Sequence, residues 1–296
     1  MIGLVTVLYK CDEMLEGFFK SLALQEFQDY HLYLIDNSVN DSTTNLISEL
    51  VKKYEISNVS HVLNSENVGV ATGNNQGIRA SLEAGFTHTL LLNNDIEFSQ
   101  STLLGDMVQA AIDNNEAMVI PKILFYDSGL IWMAGGRLIK WRAITSHVGE
   151  GRESNSVKFN RDRYFEYAPT CFMLISNLVF EKVGLMDENY FVYYDDTDFI
   201  FRATKIGYRI FYLHHLEIYH KVSSSTGGSK SNFSVYYVFR NRMYFIGKHS
   251  SGIQRIVSKI YLDLLYIIKY ILLPKGLRES LKLGYQEGLR LFKKEN

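Results

Sequence analysis

The sequence has few cysteines and no excess of either charge, and each shortage excludes a class of protein. Cys11 and Cys171 are the only cysteines in 296 residues. Two are too few for a disulfide framework or a thiolate metal site, so a reducing compartment is expected. The 31 lysines and arginines balance 32 aspartates and glutamates, which gives no general attraction to nucleic acid. A polynucleotide partner is therefore not expected.

The sequence also lacks targeting and membrane-spanning signals. Residues 2–9 are apolar, but they have neither a basic leader nor a small-residue cleavage site, so they are predicted to form a strand. No uninterrupted apolar stretch approaches the roughly 20 residues that cross a bilayer. The protein is expected in the cytoplasm.

The N-terminal third alternates between strand and helix patterns, as βαβ units do. Strands are predicted at residues 2–8, 31–35, 59–63 and 87–92, and helices at 12–25, 42–54 and from the following Asn- and Gly-rich loop to 84. The pattern changes after Asn115 to shorter strands, typical of a more open, mixed sheet. A strand at 172–175, helices at 177–183 and 196–206, and a strand at 208–213 follow, and the chain is predicted helical from Asn232 onward. The Ser- and Gly-rich residues 223–229 are predicted to form a mobile loop.

Acidic side chains are concentrated after two strand-like segments. Asp195, Asp196 and Asp198 follow an aromatic segment, and closely spaced carboxylates repel one another unless a metal, a base role or a solvated helix start accommodates them. Farther back, an apolar run at residues 89–92 ends in Asn93-Asn94-Asp95, which is typical of a buried strand that delivers oxygen ligands. Two acidic strand ends predict one shared cleft.

These motifs occur in the order found in a known enzyme family. They are Val5-Thr6-Val7 with Tyr9, Asp36-Asn37-Ser38, Asn67-Val68-Gly69 with Asn74-Asn75-Gln76-Gly77, Leu92-Asn93-Asn94-Asp95, and Gly184 through Asp198 to His220. Over residues 2–245 the chain resembles the family 2 glycosyltransferases, most closely their rhamnosyltransferase-like and galactofuranosyltransferase-like bacterial members. The resemblance implies an α/β GT-A fold: a Rossmann-like nucleotide-sugar-binding half at 1–115, an acceptor and catalytic half at 116–245 with a mixed central sheet, and a C-terminal helical segment at 246–296.

The resemblance implies a divalent metal site, for Mn²⁺ or Mg²⁺, that neutralises the diphosphate of a sugar nucleotide. Asp95 matches the family's metal-binding acid and His220 the histidine that completes the site. Asn93 or Asn94 is predicted to bind the ribose or the sugar. The alternatives are a simple turn at Asn93-Asn94-Asp95 and a structural histidine. His214 and His215 are assigned no role.

The resemblance also implies a site for the nucleotide. Asp36 matches the aspartate that accepts the pyrimidine imide N–H, and Tyr9 lies where a ring can stack on the base. A helix N-cap and a core aromatic are the alternatives for these two residues. The loop from Asn67 to Asn75 is predicted to present backbone amides to the diphosphate. Thr6, Asn67, Gly69 and Asn74 complete the predicted substrate-binding residues.

Carry-over from the family places the general base at Asp196. An inverting transfer requires a carboxylate that takes the proton of the acceptor hydroxyl, and its transition state is oxocarbenium-like. Asp195 is predicted to orient the acceptor, and Asp198 to cap the following helix or pair with Arg202 at i+4 spacing. The alternative is a merely solvated acidic helix start.

The C-terminal segment has a different composition from the rest of the chain. Over residues 251–296, nine lysines and arginines stand against four acids, and apolar residues cover most faces of 253–273. A peripheral membrane-binding helical pair and an oligomer interface both fit this pattern. The resemblance favours membrane contact, at the inner face of the cell membrane.

The sequence thus predicts a metal-dependent inverting glycosyltransferase. It would move rhamnose from dTDP-L-rhamnose, or a hexose from a UDP-sugar, onto a cell-surface polysaccharide or a lipid-linked glycan precursor. A nucleotidyltransferase is the alternative enzyme, but residues 8–20 lack the expected glycine-rich loop with a basic residue. A non-catalytic carbohydrate-binding protein is the other alternative, and it would be expected to lose Asp95, Asp196 or His220.

Overall fold

A single large β-sheet forms the centre of the molecule, with helices packed against it. The computed structural model describes residues 1–222 and 231–295, so the loop predicted at 223–229 lies outside the described residues. Leu4, Val5 and Leu8 of the first strand are fully buried, as are Phe18 and Phe19 of the first helix. The main hydrophobic core lies between these two layers.

The N-terminal half contains the predicted alternation of strands and helices. Its strands are β1 (Ile2–Leu8), β2 (Tyr30–Asp36), β3 (Val59–Leu63), β4 (His88–Leu92) and β5 (Ile96–Glu97). Its helices are α1 (Asp12–Ala23), α2 (Asp41–Lys53), α3 (Val70–Glu83) and α4 (Leu103–Asp113). Asn40 caps α2 by accepting a hydrogen bond from the Thr43 amide at 2.8 Å, which excludes Asp36 as the cap of this helix.

The C-terminal half begins with short strands and ends in helices. Its strands are β6 (Met118–Phe125), β7 (Ile131–Met133), β8 (Gly136–Ile139), β9 (Ile144–His147), β10 (Arg163–Phe165), β11 (Phe172–Ser176) and β12 (Ile210–His220). Its helices are α5 (Asn177–Val183), α6 (Asp195–Lys205), α7 (Asn232–His249), α8 (Gly252–Leu272) and α9 (Lys275–Lys294). A short 3₁₀ turn, Lys140–Arg142, links β8 to β9.

The sheet is mixed, as predicted. Its strand order is β10-β12-β6-β11-β4-β1-β2-β3, with β5 added beside β12 and β7 beside β6. Strands β4, β1, β2 and β3 run parallel, whereas β11 runs antiparallel to both β4 and β6. The antiparallel strand β11 therefore joins the two halves of the sheet and brings the ends of β4 and β12 toward one region.

Two element boundaries differ from the sequence prediction by more than two residues. Strand β12 was expected to end at Leu213, but it continues to His220 after a register shift between Leu213 and Glu217. The polar residues His214 and His215 in this bulge interrupt the apolar pattern from which the strand was predicted. Helix α3 begins at Val70, inside the predicted loop.

The C-terminal helices belong to the same packed body. A Cβ atom on Gly284 would lie 2.4 Å from the Tyr236 carbonyl oxygen, and one on Gly288 would lie 2.8 Å from that of Arg240. Helix α9 therefore packs directly on the backbone of α7. The boundary predicted after residue 245 falls inside α7, so this helix continues from one predicted segment into the next.

Across the described ranges, no helix combines the length and the apolar character that crossing a membrane requires.

Candidate active site

Asp95 and His220 come together at the ends of β4 and β12. Asp95 follows β4 in a turn, and the bridge between His220 and Ile96 aligns β12 with β5. The Nε2 atom of His220 lies 3.2 Å from Oδ1 of Asp95, and both side chains are buried. The Trp132 ring packs edge-on against His220, with 4.6 Å between ring centroids. The sequence predicted that the end of β4 would meet the acidic segment at Asp195, but the aromatic residues before Asp195 form a turn and no strand, and the partner found at this strand end is His220.

The donor set of this pair fits a divalent cation. One carboxylate oxygen and one imidazole nitrogen 3.2 Å apart can both contact one ion, with phosphate oxygens of a substrate completing the shell. The Nδ1 atom of His220 is buried and has no hydrogen-bond partner among residues 1–222 and 231–295. Asp95 and His220 are therefore the residues that would hold the predicted ion.

A second group of possible ligands lies on the surface. The side chains of Asp162, His214 and His215 offer ligand atoms within 4.8 Å of one another. His214 Nδ1 and the His214 amide both lie within hydrogen-bond distance of Asp162 Oδ1, at 2.6 and 3.0 Å. This exposed pairing accounts for the cluster without an ion, so no role is assigned to it.

The structure distinguishes Asn93 from Asn94. Asn94 is buried, and its side-chain amide donates to the carbonyl oxygen of Val7 at 3.1 Å, which ties the end of β4 to β1. The Asn93 side chain is exposed, whereas its backbone amide donates to the Cys171 carbonyl. Of the two residues predicted to contact the ribose or sugar, Asn93 is the one with an accessible side chain.

Asp36 lies at the end of β2 with its carboxylate already hydrogen-bonded. Oδ2 is 3.0 Å from Nε2 of His61, and Oδ1 accepts from the Ser38 amide at 2.8 Å. Burial alone would raise the pKa of Asp36, but these hydrogen bonds outweigh it and lower the pKa. Asp36 is thus a carboxylate at neutral pH. Tyr9, half-buried at the end of β1, has the Lys10 ammonium 5.3 Å from its ring centroid.

The segment predicted as a diphosphate loop is mostly the first turns of α3. Gly69 precedes the helix at φ +84°, and a Cβ there would lie 2.5 Å from the Phe191 carbonyl oxygen, so the position requires glycine. Asn67 accepts from the Gly69 amide at 3.0 Å and forms this turn. The Val70 amide already donates to the Phe191 carbonyl oxygen at 2.7 Å, and the amides from Gly73 onward are bonded within α3. The amides that can face an anion are therefore those of Ala71 and Thr72.

Two residues predicted to bind substrate lie in the interior. Thr6 is fully buried, and within the described chain its hydroxyl has no hydrogen-bond partner. Asn74 is buried within α3, and its amide nitrogen lies 3.6 Å from the Met186 sulfur. Thr6 is covered by its neighbours, whereas Asn74, at 8% exposed, is no more buried than Asp95, so the substrate contacts predicted for Thr6 and Asn74 stay predictions. Asn74 packs α3 against the segment before the acidic cluster.

Asp196 and Asp195 start α6 in different environments. Asp196 accepts hydrogen bonds from the Tyr167 hydroxyl at 2.9 Å, the Thr197 amide at 2.6 Å and the Thr197 hydroxyl at 3.1 Å. Burial raises the pKa of Asp196, and these donors oppose that shift. Asp195 is 5% exposed, and burial together with repulsion from Asp196 raises its pKa to about 8. As the pH rises, Asp196 therefore loses its proton before Asp195 does. The contact of Asp195 with an acceptor stays a prediction.

Asp95 of the predicted metal pair and Asp196 both act electrostatically on the buried thiol of Cys171. Burial raises the pKa of the Cys171 thiol well above its usual value, and the charges of Asp95 and Asp196 raise it further. His147 packs against Trp132 with 4.4 Å between ring centroids, on a ring that also contacts His220. Burial lowers the pKa of His147, and the charge of Asp196 opposes this. The sequence prediction missed Tyr167, Trp132 and His147, since single aromatic and histidine residues in short strands carry no motif.

Asp198 anchors α6 to α7. Its fully buried carboxylate pairs with Arg202 at 2.7 Å, as the i+4 spacing predicted, and also with Lys248 at 2.8 Å and His249 at 2.6 Å. Burial alone would raise the pKa of Asp198, but these cations lower it from 3.8 to about 2. These ion pairs hold α6, which begins with Asp195 and Asp196, against α7.

We expect Asp198→Asn to lower the free energy of unfolding by about 3–5 kcal/mol, because it removes the buried anion that pairs with Arg202 and His249, whereas Lys248 keeps its pair with Asp187. Since the folded pKa lies below the ordinary value, the stabilisation is complete above pH 3.8 and is lost as the pH falls toward 2. Urea unfolding at several pH values measures both effects. Glu16→Gln, which breaks an exposed pair with Lys53, is the control and should change stability little. Equal losses in the two variants would contradict the role of Asp198.

Comparison with known proteins places these residues in context. The sequence profile of the family described as Glycosyl transferase family 2 matches residues 4–180. The low-salt glycan biosynthesis hexosyltransferase Agl10 of Haloferax volcanii is 25% identical over 246 residues, covering 81% of this chain and 74% of that protein. The dTDP-rhamnosyl transferase RfbF of Shigella flexneri is 23% identical over 282 residues, covering 89% of this chain and 87% of that protein.

A solved structure shares the fold. The crystal structure of GalNAc-T7 with UDP, GalNAc and Mn²⁺ matches 98% of this chain with a TM-score of 0.67 and 13% sequence identity. The chain spans 56% of the length of that protein chain. The similarity confirms the GT-A fold predicted from the ordered motifs.

Proposed function

The chain belongs to glycosyltransferase family 2, and from this membership we propose that it transfers a sugar from a nucleoside diphosphate to a glycan acceptor with inversion at the anomeric carbon. The family predicted from the ordered motifs is thus confirmed. Membership also favours glycosyl transfer over the alternatives of nucleotidyl transfer and sugar binding without catalysis. The observation that carries the proposal is the pairing of Asp95 with His220 at 3.2 Å, together with an Asp196 carboxylate that Tyr167 and Thr197 hold at the start of α6.

In the proposed reaction, Asp196 takes the proton of the acceptor hydroxyl as its oxygen attacks the anomeric carbon. The bond from that carbon to the diphosphate oxygen breaks, and the nucleoside diphosphate leaves from the opposite face. Tyr167 and Thr197 donate hydrogen bonds to Asp196 and hold its carboxylate in place. A divalent cation, when bound, supplies positive charge for the departing diphosphate. Asp95 and His220 would hold this ion.

For the donor, we propose a pyrimidine nucleotide, either dTDP-L-rhamnose or a UDP-sugar. The ionised Asp36 at the end of β2 is the acceptor for the imide N–H, and Tyr9 lies nearby at the end of β1. A dTDP-rhamnosyl transferase among the relatives and UDP in the solved structure support a pyrimidine nucleotide. The acceptor is proposed to be a cell-surface polysaccharide or its lipid-linked precursor, in keeping with the glycan biosynthesis enzyme among the relatives.

We expect Asp36→Asn to weaken the binding of UDP and dTDP by about 1.5–3 kcal/mol, because a charged hydrogen-bond acceptor is lost. Titration calorimetry with UDP, dTDP and GDP measures the change. His61→Gln is the matched control, since it removes the histidine at 3.0 Å but leaves the Asp36 carboxylate in place. Tighter binding of GDP than of UDP and dTDP by the unaltered protein would contradict the proposed donor.

The same lipid-linked acceptor leads us to propose that α8 docks on an anionic membrane face without crossing the membrane. The exposed side of α8 is almost wholly apolar; its members include Ile253, Ile256, Val257, Ile260, Leu264, Ile267, Ile268, Ile271 and Leu272. The cations Lys269 and Lys275 lie exposed at one end of this face. Such a face buries apolar area among the lipid headgroups, and each nearby cation contributes about 1 kcal/mol at an acidic surface.

Some apolar residues of the segment 253–273 lie on the inner side of α8. Leu262 is buried, and Leu265 and Tyr266 pack against the cluster formed with α7. Helix α9 was predicted to form a membrane-binding pair with α8, but it packs on α7. The outward face therefore comes from α8 alone.

We expect the full chain to float with anionic liposomes at low salt and to be released at high salt, because ions screen the attraction. The double variant Ile260→Asp, Ile267→Asp should remain in the soluble fraction at low salt, and it should still fold since both side chains are exposed. Val157→Asp, which changes an exposed apolar residue elsewhere, is the control. If the full chain ignores liposomes and the double variant instead lowers its oligomeric mass, α8 is a subunit interface and the membrane proposal is wrong.

A further inference from the structure

The turn immediately before the two aspartates of α6 has an unusual backbone. Tyr193 has φ 62° and Tyr194 has φ 68°, so two consecutive residues with large side chains lie in the left-handed region. Residues other than glycine and asparagine rarely adopt this conformation, and it persists only where the surroundings enforce it. The next residues are Asp195 and Asp196, so the conformation of this turn sets the direction in which α6 starts.

The side chain of Asn241 on α7 contacts this turn at its backbone. Its Nδ2 atom donates to the Val192 carbonyl oxygen at 2.7 Å and to the Tyr193 carbonyl oxygen at 2.9 Å. Its Oδ1 atom accepts a hydrogen bond from Arg240, which fixes the orientation of the amide. Asn241 is fully buried. Both donors of one amide are thus committed to consecutive carbonyl groups of the turn.

The tyrosine side chains are held from two sides. The Tyr193 hydroxyl lies 2.9 Å from the Ser234 hydroxyl at the start of α7, and the Tyr194 hydroxyl donates to the Ala143 carbonyl oxygen at 2.7 Å. Beyond the turn, Lys248 and His249 at the end of α7 pair with Asp198. Helix α7 therefore contacts the chain both before and after Asp195 and Asp196, and Asn241 is its contact to the backbone of the turn.

We propose that Asn241 is a positioning residue for Asp196: its amide keeps the turn in the left-handed conformation that aims the Asp196 carboxylate at the acceptor hydroxyl. The inference rests on the proposed function, because its main consequence is for the transfer step. Asn241 touches neither substrate nor Asp196, and it acts through the backbone of Val192 and Tyr193.

The sharpest test is Asn241→Asp, which keeps the shape of the side chain but replaces the Nδ2 nitrogen and its two N–H donors by one oxygen that repels both carbonyl groups. A misplaced base should lower kcat by about 10- to 100-fold while the KM for the sugar nucleotide stays nearly constant. Nucleoside diphosphate binding, measured by calorimetry, should also be unchanged. Tyr193→Phe is the control, because it removes the contact with Ser234 and leaves the backbone contacts in place.

A rescue experiment separates positioning from general stability. Glycine adopts positive φ without the steric penalty of a Cβ atom, so a turn in which glycine replaces Tyr193 needs less enforcement. Tyr193→Gly should therefore raise kcat in the Asn241→Ala background at least about threefold, although it should not raise kcat in the unaltered chain. A loss of folding caused by a hole beside α7 would not be repaired by this change on another element. If Asn241→Asp does not fold, this pair of variants decides: rescue supports the proposal, and no rescue overturns it.

The activities of Asp196→Asn and Asn241→Asp together distinguish a wrong role for Asn241 from a wrong proposed function. If Asp196→Asn is inactive but folded Asn241→Asp keeps kcat within about twofold of the unaltered chain, the positioning role is wrong and the proposed function stands. If Asp196→Asn transfers sugar at the normal rate, the proposed base is wrong, and so is the aim assigned to Asn241.

Discussion

Asp196→Asn should lower the turnover of sugar transfer by roughly 100-fold or more, the usual scale for a positioned base. The amide keeps the size of the side chain but cannot take the proton of the acceptor hydroxyl. The Tyr167 hydroxyl and the Thr197 amide donate to the carboxylate, so Asp196 is the member of the pair that ionises first. Steady-state kinetics with saturating donor and acceptor measure the effect.

The dependence of transfer on pH gives an independent measurement of the same group. Burial raises the pKa of Asp196, and a base must be deprotonated to act, so transfer should decline on acidification at a higher pH than an exposed aspartate would require. Binding of the sugar nucleotide by Asp196→Asn should be nearly unchanged, because Asp36, Asp95 and His220 are intact. Transfer by this variant at close to the unaltered rate would contradict the assignment.

The ordered motifs predicted the architecture because their signals are local. Apolar runs that end in Asp36 and in Asn93-Asn94-Asp95 mark strands, and the carboxyl ends of strands β1, β2 and β4 share one edge of a parallel sheet. The resemblance to the family, and no local signal, placed Asp95 and His220 together, because 124 residues of sequence lie between them. Strand order and direction were sufficient only for the N-terminal half of the sheet.

Other features depend on long-range packing. Nothing local shows that Asn74 faces Met186, or that Thr6 and Asp195 are buried. The resemblance to the family implied substrate contact for these three residues, and that contact stays a prediction. The side on which a side chain lies depends on which element packs against it, and that packing is set by residues far along the chain.

Tyr167 and Asn241, which the sequence did not reveal, also owe their contacts to long-range packing. Tyr167 lies 29 positions before Asp196 and reaches it only because β11 and α6 fold back beside it. Asn241 contacts Val192 and Tyr193 from α7, beyond the end of the sheet. Their roles come from three-dimensional contacts to backbone or carboxylate groups, which a single sequence does not encode as a motif.

Removal of divalent cations with EDTA should abolish transfer, and Mn²⁺ or Mg²⁺ should restore it, because Asp95 and His220 form a donor pair 3.2 Å apart that can hold one ion. His220→Ala should raise the Mn²⁺ concentration that gives half-maximal activity at least about tenfold, since the loss of even an outer-shell partner of a metal ligand typically costs that much. Calorimetry should show that Mn²⁺ strengthens nucleoside diphosphate binding to the unaltered chain more than to His220→Ala.

His214→Ala is the matched control, because it removes a histidine of the same strand that pairs with Asp162 at the surface. If the ion acts at Asp95 and His220, His214→Ala should keep the metal dependence of the unaltered chain. A shift in His214→Ala but not in His220→Ala would move the metal to the surface cluster of Asp162, His214 and His215. Full activity in chelator would remove the ion from the reaction. The charge of the departing diphosphate would then have to be neutralised by cationic side chains and by the backbone amides at the start of α3.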